Sequence, residues 1–314
     1  MWCYSAGGGV RKACTPGTAS VRFFASIRIM DESAIAAPLL LGRYRPRSLI
    51  ARGGSSLVYV ADDEHLDREV AIKLFTAGGP DQVDRFRTEL RMLASLSHHG
   101  IVPVLDAGID ESSPRDPRPF LVLELVRGDS LKTLNERGEL PQQRVGEIGF
   151  EVAEALEYLH ARGVIHRDIA PANVMLVDYG TTFSRPRARL TDFGLALETG
   201  MDPSVDGITE GTAAYLSPEQ ARLEPLSTAS DIYSLGLVLL ESFTGQVAYP
   251  GDALESALAR LERDPVIPAD LPDGWRSLLG AMTAREPSAR PIASEVAIAA
   301  RRELRATARH KMRR

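Results

Sequence analysis

The apolar residues of this chain change their period part-way along it, and that change limits the available folds more than any other feature. From Tyr44 onward, short apolar runs alternate with turn residues: Ser48-Leu49-Ile50, Leu57-Val58-Tyr59-Val60, Val70-Ala71-Ile72 and Phe120-Leu121-Val122-Leu123. Short runs punctuated in this way predict the strands of a small sheet. One helical stretch interrupts them, because Val83, Phe86, Leu90 and Leu93 recur at spacings of three and four and share one face. After Gly128 the period lengthens. Val145, Ile148, Val152, Leu156 and Leu159 form a helical stripe that Gly163 closes. The run from Ile232 to Leu240 is apolar all round, the pattern of a helix buried on every side. Strands first and helices second predict an α+β chain of two lobes that meet near Glu124 to Gly128.

A chain of 314 residues, 44% of them hydrophobic, can bury a core of this size. Its net charge of -5 gives no electrostatic reason to expect nucleic acid, and none is expected. Both cysteines, Cys3 and Cys14, lie near the N-terminus, so no disulfide framework or thiolate metal site can form downstream. A reducing, cytoplasmic setting fits that usage. No run approaches the roughly 18 to 20 apolar residues that span a bilayer. Ile232 to Phe243 is interrupted by Ser234, Gly236, Glu241 and Ser242, so no membrane span is expected.

The margins read differently from the body. The first thirty residues contain no Asp or Glu and carry Arg11, Lys12, Arg22 and Arg28. A transit-like segment has such a composition, but the plainer expectation is a disordered leader, or a start placed too early with Met30 as the first residue. The expected organisation is a disordered leader over 1–43, one lobe over 44–126, a second over 127–305 and a basic tail over 306–314. Asp110 to Pro119 and Tyr179 to Arg187 are rich in Pro, Ser and Arg and predict solvated hairpin loops. The last fourteen residues hold seven Lys and Arg against one acid, Glu303, which predicts a solvated helix end, with a docking patch for anionic lipid or partner as the lesser reading.

The chemistry concentrates in His166-Arg167-Asp168-Ile169-Ala170-Pro171-Ala172-Asn173, followed by Asp192-Phe193-Gly194. Taken singly, each acid reads as a solvated loop residue or a helix cap. Phosphoryl transfer needs a carboxylate to accept a hydroxyl proton and oxygen ligands to hold a divalent cation against phosphate, and this set contains both. In this order the residues resemble the catalytic loop and metal-binding motif of the protein kinase family. The resemblance implies the two-lobed kinase fold, ATP and magnesium (manganese as an alternative), Asp168 as catalytic base, Asn173 and Asp192 as metal ligands, and His166 as a support of the loop. Arg167, directly before the base, implies regulation by a phosphate on the segment that follows.

Lys73 in Val70-Ala71-Ile72-Lys73 is similar to the family lysine that binds the α and β phosphates, and Glu89 is its implied partner. Read locally, Glu89 forms an ordinary helical pair with Arg85. The glycine-rich loop departs from the family pattern: Ala51-Arg52-Gly53-Gly54-Ser55-Ser56-Leu57-Val58 keeps the middle glycine at Gly53 and has Ala51 and Ser56 at the outer two. A Cβ at those places restricts approach to phosphate, so weakened ATP affinity is expected. The resemblance also implies adenine recognition by backbone groups of Glu124 and Val126, with Leu123 behind and Ile50, Val58, Ala71 and Met175 sandwiching the ring; all are equally core residues.

Ala170 is a second departure, since serine/threonine kinases usually place lysine there. Gly211-Thr212-Ala213-Ala214-Tyr215-Leu216-Ser217-Pro218-Glu219 is similar to the serine/threonine form of the substrate-facing segment. By the resemblance Asp231 anchors the catalytic loop and Glu219 pairs with Arg290; locally, Asp231 serves equally well as a helix cap beside Ser230. Thr199, Ser204, Thr209 and Thr212 lie between Asp192 and Glu219, with Thr209 the leading phosphosite. The expected activity is transfer of the γ-phosphate of ATP to protein Ser or Thr, autophosphorylation included, with a regulatory partner or homodimer as further company. The details look closest to bacterial members of the family. A nucleotide-binding pseudokinase scaffold accounts for Ala51, Ser56 and Ala170 but not for the intact Lys73, Glu89, Asp168, Asn173 and Asp192. A small-molecule kinase accounts for the acids but not for Ser217-Pro218-Glu219 or Asp231.

Overall fold

The computed structural model describes residues 39–53, 56–75, 92–112, 117–138, 140–180, 185–192 and 213–312. Strands β1 (Tyr44–Arg52), β2 (Ser56–Asp63), β3 (Arg68–Phe75), β4 (Val104–Asp110) and β5 (Arg118–Glu124) form one antiparallel sheet in the order β1-β2-β3-β5-β4. Residues directly opposite in such a ladder share a face. Val58 lies opposite Lys73, Lys73 opposite Leu121, and Ala71 opposite Leu123, so one face carries the lysine among apolar neighbours that join the main core. The other face closes a separate cluster of Tyr44, Ala61, Val70, Ile72, Leu74, Phe120 and Val122.

Strand β4 has no expectation behind it, because Asp106 and Gly108 break its apolar alternation. Both residues have a reason. A Cβ at position 108 would come within 2.8 Å of the Phe120 ring, and Asp106 accepts a 2.6 Å hydrogen bond from the Tyr44 hydroxyl. Residues 39–43, placed with the leader on sequence grounds, in fact belong to this lobe. Leu40 is buried in the second cluster and Arg43 donates twice to the buried Asp63, at 2.6 and 2.8 Å. The two hairpin loops are also shorter than expected, since Asp110, Arg118, Pro119 and Arg187 lie in strands. Of the predicted helical stripe, Val83, Phe86 and Leu90 lie outside the described residues; residues 92–94 are helical and Leu93 is buried.

The second lobe opens with a small antiparallel sheet of β6 (Gly128–Ser130), β7 (Val174–Val177) and β8 (Arg187–Leu190). Around it stand α1 (Leu131–Arg137), α2 (Gln142–His160), α3 (Pro218–Ala221), α4 (Thr228–Thr244), α5 (Ala253–Glu262), α6 (Asp273–Met282) and α7 (Ala293–Met312). All five residues of the predicted α2 stripe are buried, as is α4 from Ser230 to Leu240. Ser227 caps α4 in a reciprocal pair with Ser230, so the cap role considered for Asp231 is taken by another residue. Besides the covalent crossing at 125–127, hydrogen bonds and an ion pair join the lobes. Val102 donates to Leu190 O at 2.9 Å while Leu190 donates to Gly100 O at 2.8 Å, and Arg189 grips the Glu124 carboxylate at 2.7 and 3.0 Å. Among the described residues no helix is long and apolar enough to cross a membrane.

Candidate active site

The loop that carries Asp168 is held from below by one carboxylate. Asp231, 1% exposed in the first turn of α4, accepts from His166 N at 2.9 Å, Arg167 N at 2.8 Å and His160 Nε2 at 2.8 Å. Arg167 adopts φ 69°, a left-handed conformation that costs a non-glycine residue on the order of 1–3 kcal/mol and persists only where its surroundings impose it. Gln220 Nε2 completes the grip by donating to Arg167 O at 2.8 Å. His166 is fully buried, and burial pushes its imidazole pKa down, which keeps the ring neutral. Thr191 O, 3.2 Å from its Nε2, can only accept, so the proton sits on Nε2. Nδ1 is then an acceptor facing Asp168 N at 3.4 Å.

Asn173 closes the short 3₁₀ turn Pro171–Asn173 and points its amide back at Asp168. Its Nδ2 donates to Asp168 O and to Asp168 Oδ2, both at 2.9 Å, which turns its own Oδ1 away from that carboxylate. Asn173 O in turn accepts from Thr191 N at 2.9 Å, next to Asp192. Asp192 has φ 66° and receives the Nζ of Lys73, a buried lysine that reaches it from β3 in the other lobe. An unbroken series of contacts therefore runs Lys73, Asp192, Thr191, Asn173, Asp168. The expected lysine partner, Glu89, lies outside the described residues; among the described residues Lys73 pairs with Asp192.

The other cleft residues sort by element. Ala51 faces Val58 across the β1–β2 ladder, Gly53 N donates to Ser56 O at 2.8 Å, and Ile50 sits at an irregularity of β1, 47% exposed. Gly54 and Ser55 lie outside the described residues. Val58, Ala71 and Leu123 share the sheet face of Lys73; Glu124 ends β5, and Val126 packs on the main core. Met175 is half-buried on β7, opposite Ser130 and Arg189. Asn173 and Asp192 offer an amide and a carboxylate oxygen, the hard donors that suit a divalent cation.

On the far side of Asp168, α3 starts at Ser217, which forms a capping box with Gln220. Glu219 takes the Arg290 guanidinium in a two-pronged pair at 2.7 and 2.9 Å, and Ser230 Oγ donates to it at 2.7 Å. Burial pushes the Glu219 carboxyl up, but the bonds from Arg290 and Ser230 outweigh that and hold it below the usual carboxylate range. Tyr215 donates to Glu241 of α4. Tyr215–Glu241, Gln220 and His160 are contributors that sequence reasoning did not single out. His160 was open to detection as the polar residue ending an apolar stripe, and Gln220 as the fourth residue of a Ser-x-x-Gln capping pattern; the Tyr215–Glu241 pair carries no local signal. Phe193, Gly194, Thr199, Ser204, Thr209, Gly211 and Thr212 lie outside the described residues.

Residues 44–299 match the family model described as the protein kinase domain. The chain is 36% identical over 270 residues to the serine/threonine-protein kinase PknA of Mycobacterium tuberculosis, covering 82% of this chain and 61% of that protein. It is 37% identical to PknB of Mycobacterium leprae over 244 residues, 76% of this chain and 38% of that protein. With PknL of Mycobacterium tuberculosis the identity is 37% over 266 residues, 82% and 64% of the two chains. The chain thus spans about six-tenths of the length of the first of these relatives.

Proposed function

Because the chain belongs to the protein kinase domain family, whose members use ATP and a divalent metal, we propose that it transfers the γ-phosphate of ATP to serine or threonine hydroxyls of proteins. The observation that carries this reading is the contact series joining Lys73, Asp192, Asn173 and Asp168 across the two lobes. Phosphoryl transfer depends on placing groups rather than on covalent help from the protein, and the contacts among these side chains support that reading. Asp168 accepts the proton of the acceptor hydroxyl as that oxygen attacks phosphorus, and ADP departs. The Asn173 amide fixes the rotamer of Asp168, and His166 fixes the backbone beside it.

Lys73 supplies positive charge to the α and β phosphates, and Asn173 with Asp192 would hold the metal. A bound divalent cation neutralises phosphate oxygens; magnesium fits a site with two protein oxygens, and manganese is the alternative. Ile50, Ala51, Gly53, Gly54, Ser55, Ser56, Val58, Ala71, Leu123, Glu124, Val126 and Met175 form the nucleotide cleft in this reading, with lobes over 44–126 and 127–305. Arg167 is the receptor for a phosphate on Thr209, placed there by a second copy of the chain, and the reducing cytoplasm is the expected compartment. A protein acceptor is supported by the rigid seating of Ser217-Pro218-Glu219 on α4 and Arg290. Incubation with radiolabelled ATP, magnesium and dephosphorylated casein, followed by phosphoamino-acid analysis, tests it. Label on phosphoserine or phosphothreonine is expected; label only on an aminoglycoside offered beside casein, or on nothing, overturns it.

A further inference from the structure

Arg260, in the last turn of α5, is 0% exposed, and among the described residues no carboxylate pairs with it. Four donor contacts take its guanidinium instead. Nε donates to Ser256 O at 3.0 Å, Nη2 to Ser256 Oγ at 2.7 Å and to Ala213 O at 2.5 Å, and Nη1 to Leu216 O. The Tyr249 ring lies 5.2 Å from its Cζ. A guanidinium does not give up its proton, so α5 buries a full positive charge that, among the described residues, meets carbonyl and hydroxyl dipoles and the Tyr249 ring. Replacing a buried charge by an apolar side chain of similar length is often neutral or stabilising, so stability alone is a weak reason for it.

What the arrangement does secure is the shape of a short stretch of backbone. Ala213 and Leu216 are the two ends of a four-residue segment directly before Ser217-Pro218-Glu219, and one rigid planar fork fixes both carbonyls relative to each other. Between them Tyr215 is tied to Glu241 of α4, so the segment is pinned from α5 at both ends and from α4 in the middle. None of these contacts involves the sheet face of Lys73. We propose that Arg260 is a positioning residue for the protein acceptor: it sets the backbone against which the incoming serine- or threonine-bearing chain lies, and so governs acceptor affinity separately from nucleotide affinity. This inference rests on the kinase reading above.

The test uses the full chain as wild type, Arg260→Met and Arg260→Lys, with initial rates measured against casein at saturating magnesium-ATP and against ATP at saturating casein. Losing both carbonyl bonds raises KM for casein about tenfold in Arg260→Met, while KM for ATP moves by less than about twofold. A lysine ammonium cannot span both carbonyls, so Arg260→Lys falls between the two, at about threefold. An unchanged casein KM in folded Arg260→Met, or an equal rise in both KM values, overturns the proposal. If Arg260→Met shows no thermal transition, Arg260→Lys decides alone: a selective rise in casein KM supports the proposal and wild-type values overturn it. A wild type that labels neither casein nor itself removes the kinase reading as well.

Discussion

Asp231 satisfies two backbone N–H groups and a histidine from a position 65 residues away along the chain from the first of them. Asp231→Ala removes the carboxylate that accepts from His166 N and Arg167 N, and losing the partner of a buried donor costs about 1–3 kcal/mol. The expected loss in urea unfolding is about 3 kcal/mol, and a loss under about 1 kcal/mol would contradict the role given to this side chain. The sequence placed Asp231 at the opening of a buried helix, yet local chemistry offered a cap as readily as an anchor. Only the return of the catalytic loop over α4 separates the two, and that return has no signature in the residues around position 231. Lys73 repeats the lesson. Its position at the end of Val70-Ala71-Ile72 was legible, whereas its contact with Asp192, 119 residues on, was not.

At the scale of elements, Glu219 and Arg290 hold α3 against α4 and the turn before α7. Arg290→Met strands a buried carboxylate and is expected to cost about 3–5 kcal/mol; combining it with Glu219→Gln restores part of that loss, because no unpaired charge remains. Thermal or urea unfolding of the two single variants and the double variant measures the coupling, and strict additivity would contradict it. The pair also has a pH signature. Since the folded carboxyl of Glu219 titrates below its unfolded value of about 4.3, its contribution is complete above that pH and fades as pH falls through the folded value. The stability gap between wild type and Glu219→Gln therefore narrows in acid, and a gap that does not change with pH would speak against the pairing. Period was a good guide to α2 and α4, whose stripes are buried as expected. It failed at β4, where Asp106 and Gly108 are set by Tyr44 and Phe120 rather than by alternation, and at the three-residue β6, too short to have a period.

The whole molecule brings residues from two lobes that share one main core to one candidate site, and ligand binding there must stabilise both. Magnesium-ATP at about 100 times its Kd is expected to add about 2.7 kcal/mol to unfolding, and Lys73→Met to remove most of that gain. Scanning calorimetry with and without nucleotide reads the difference; equal stabilisation of both proteins would place the nucleotide elsewhere. The fold class was legible, as were the positions of the candidate site residues, because their signals are ordered motifs spread over the chain. What could not be read was which groups touch, since Arg189–Glu124, Tyr215–Glu241 and Arg260 with Ala213 and Leu216 depend on how the lobes and helices close on one another. The most direct measurement is transfer of radiolabelled γ-phosphate to casein by wild type and Asp168→Asn, with magnesium-ATP affinity measured on both. Unchanged affinity with transfer reduced about 10²–10⁴-fold is the expected result, and equal incorporation by the two proteins would take Asp168, and with it the convergence on one nucleotide, out of the chemistry.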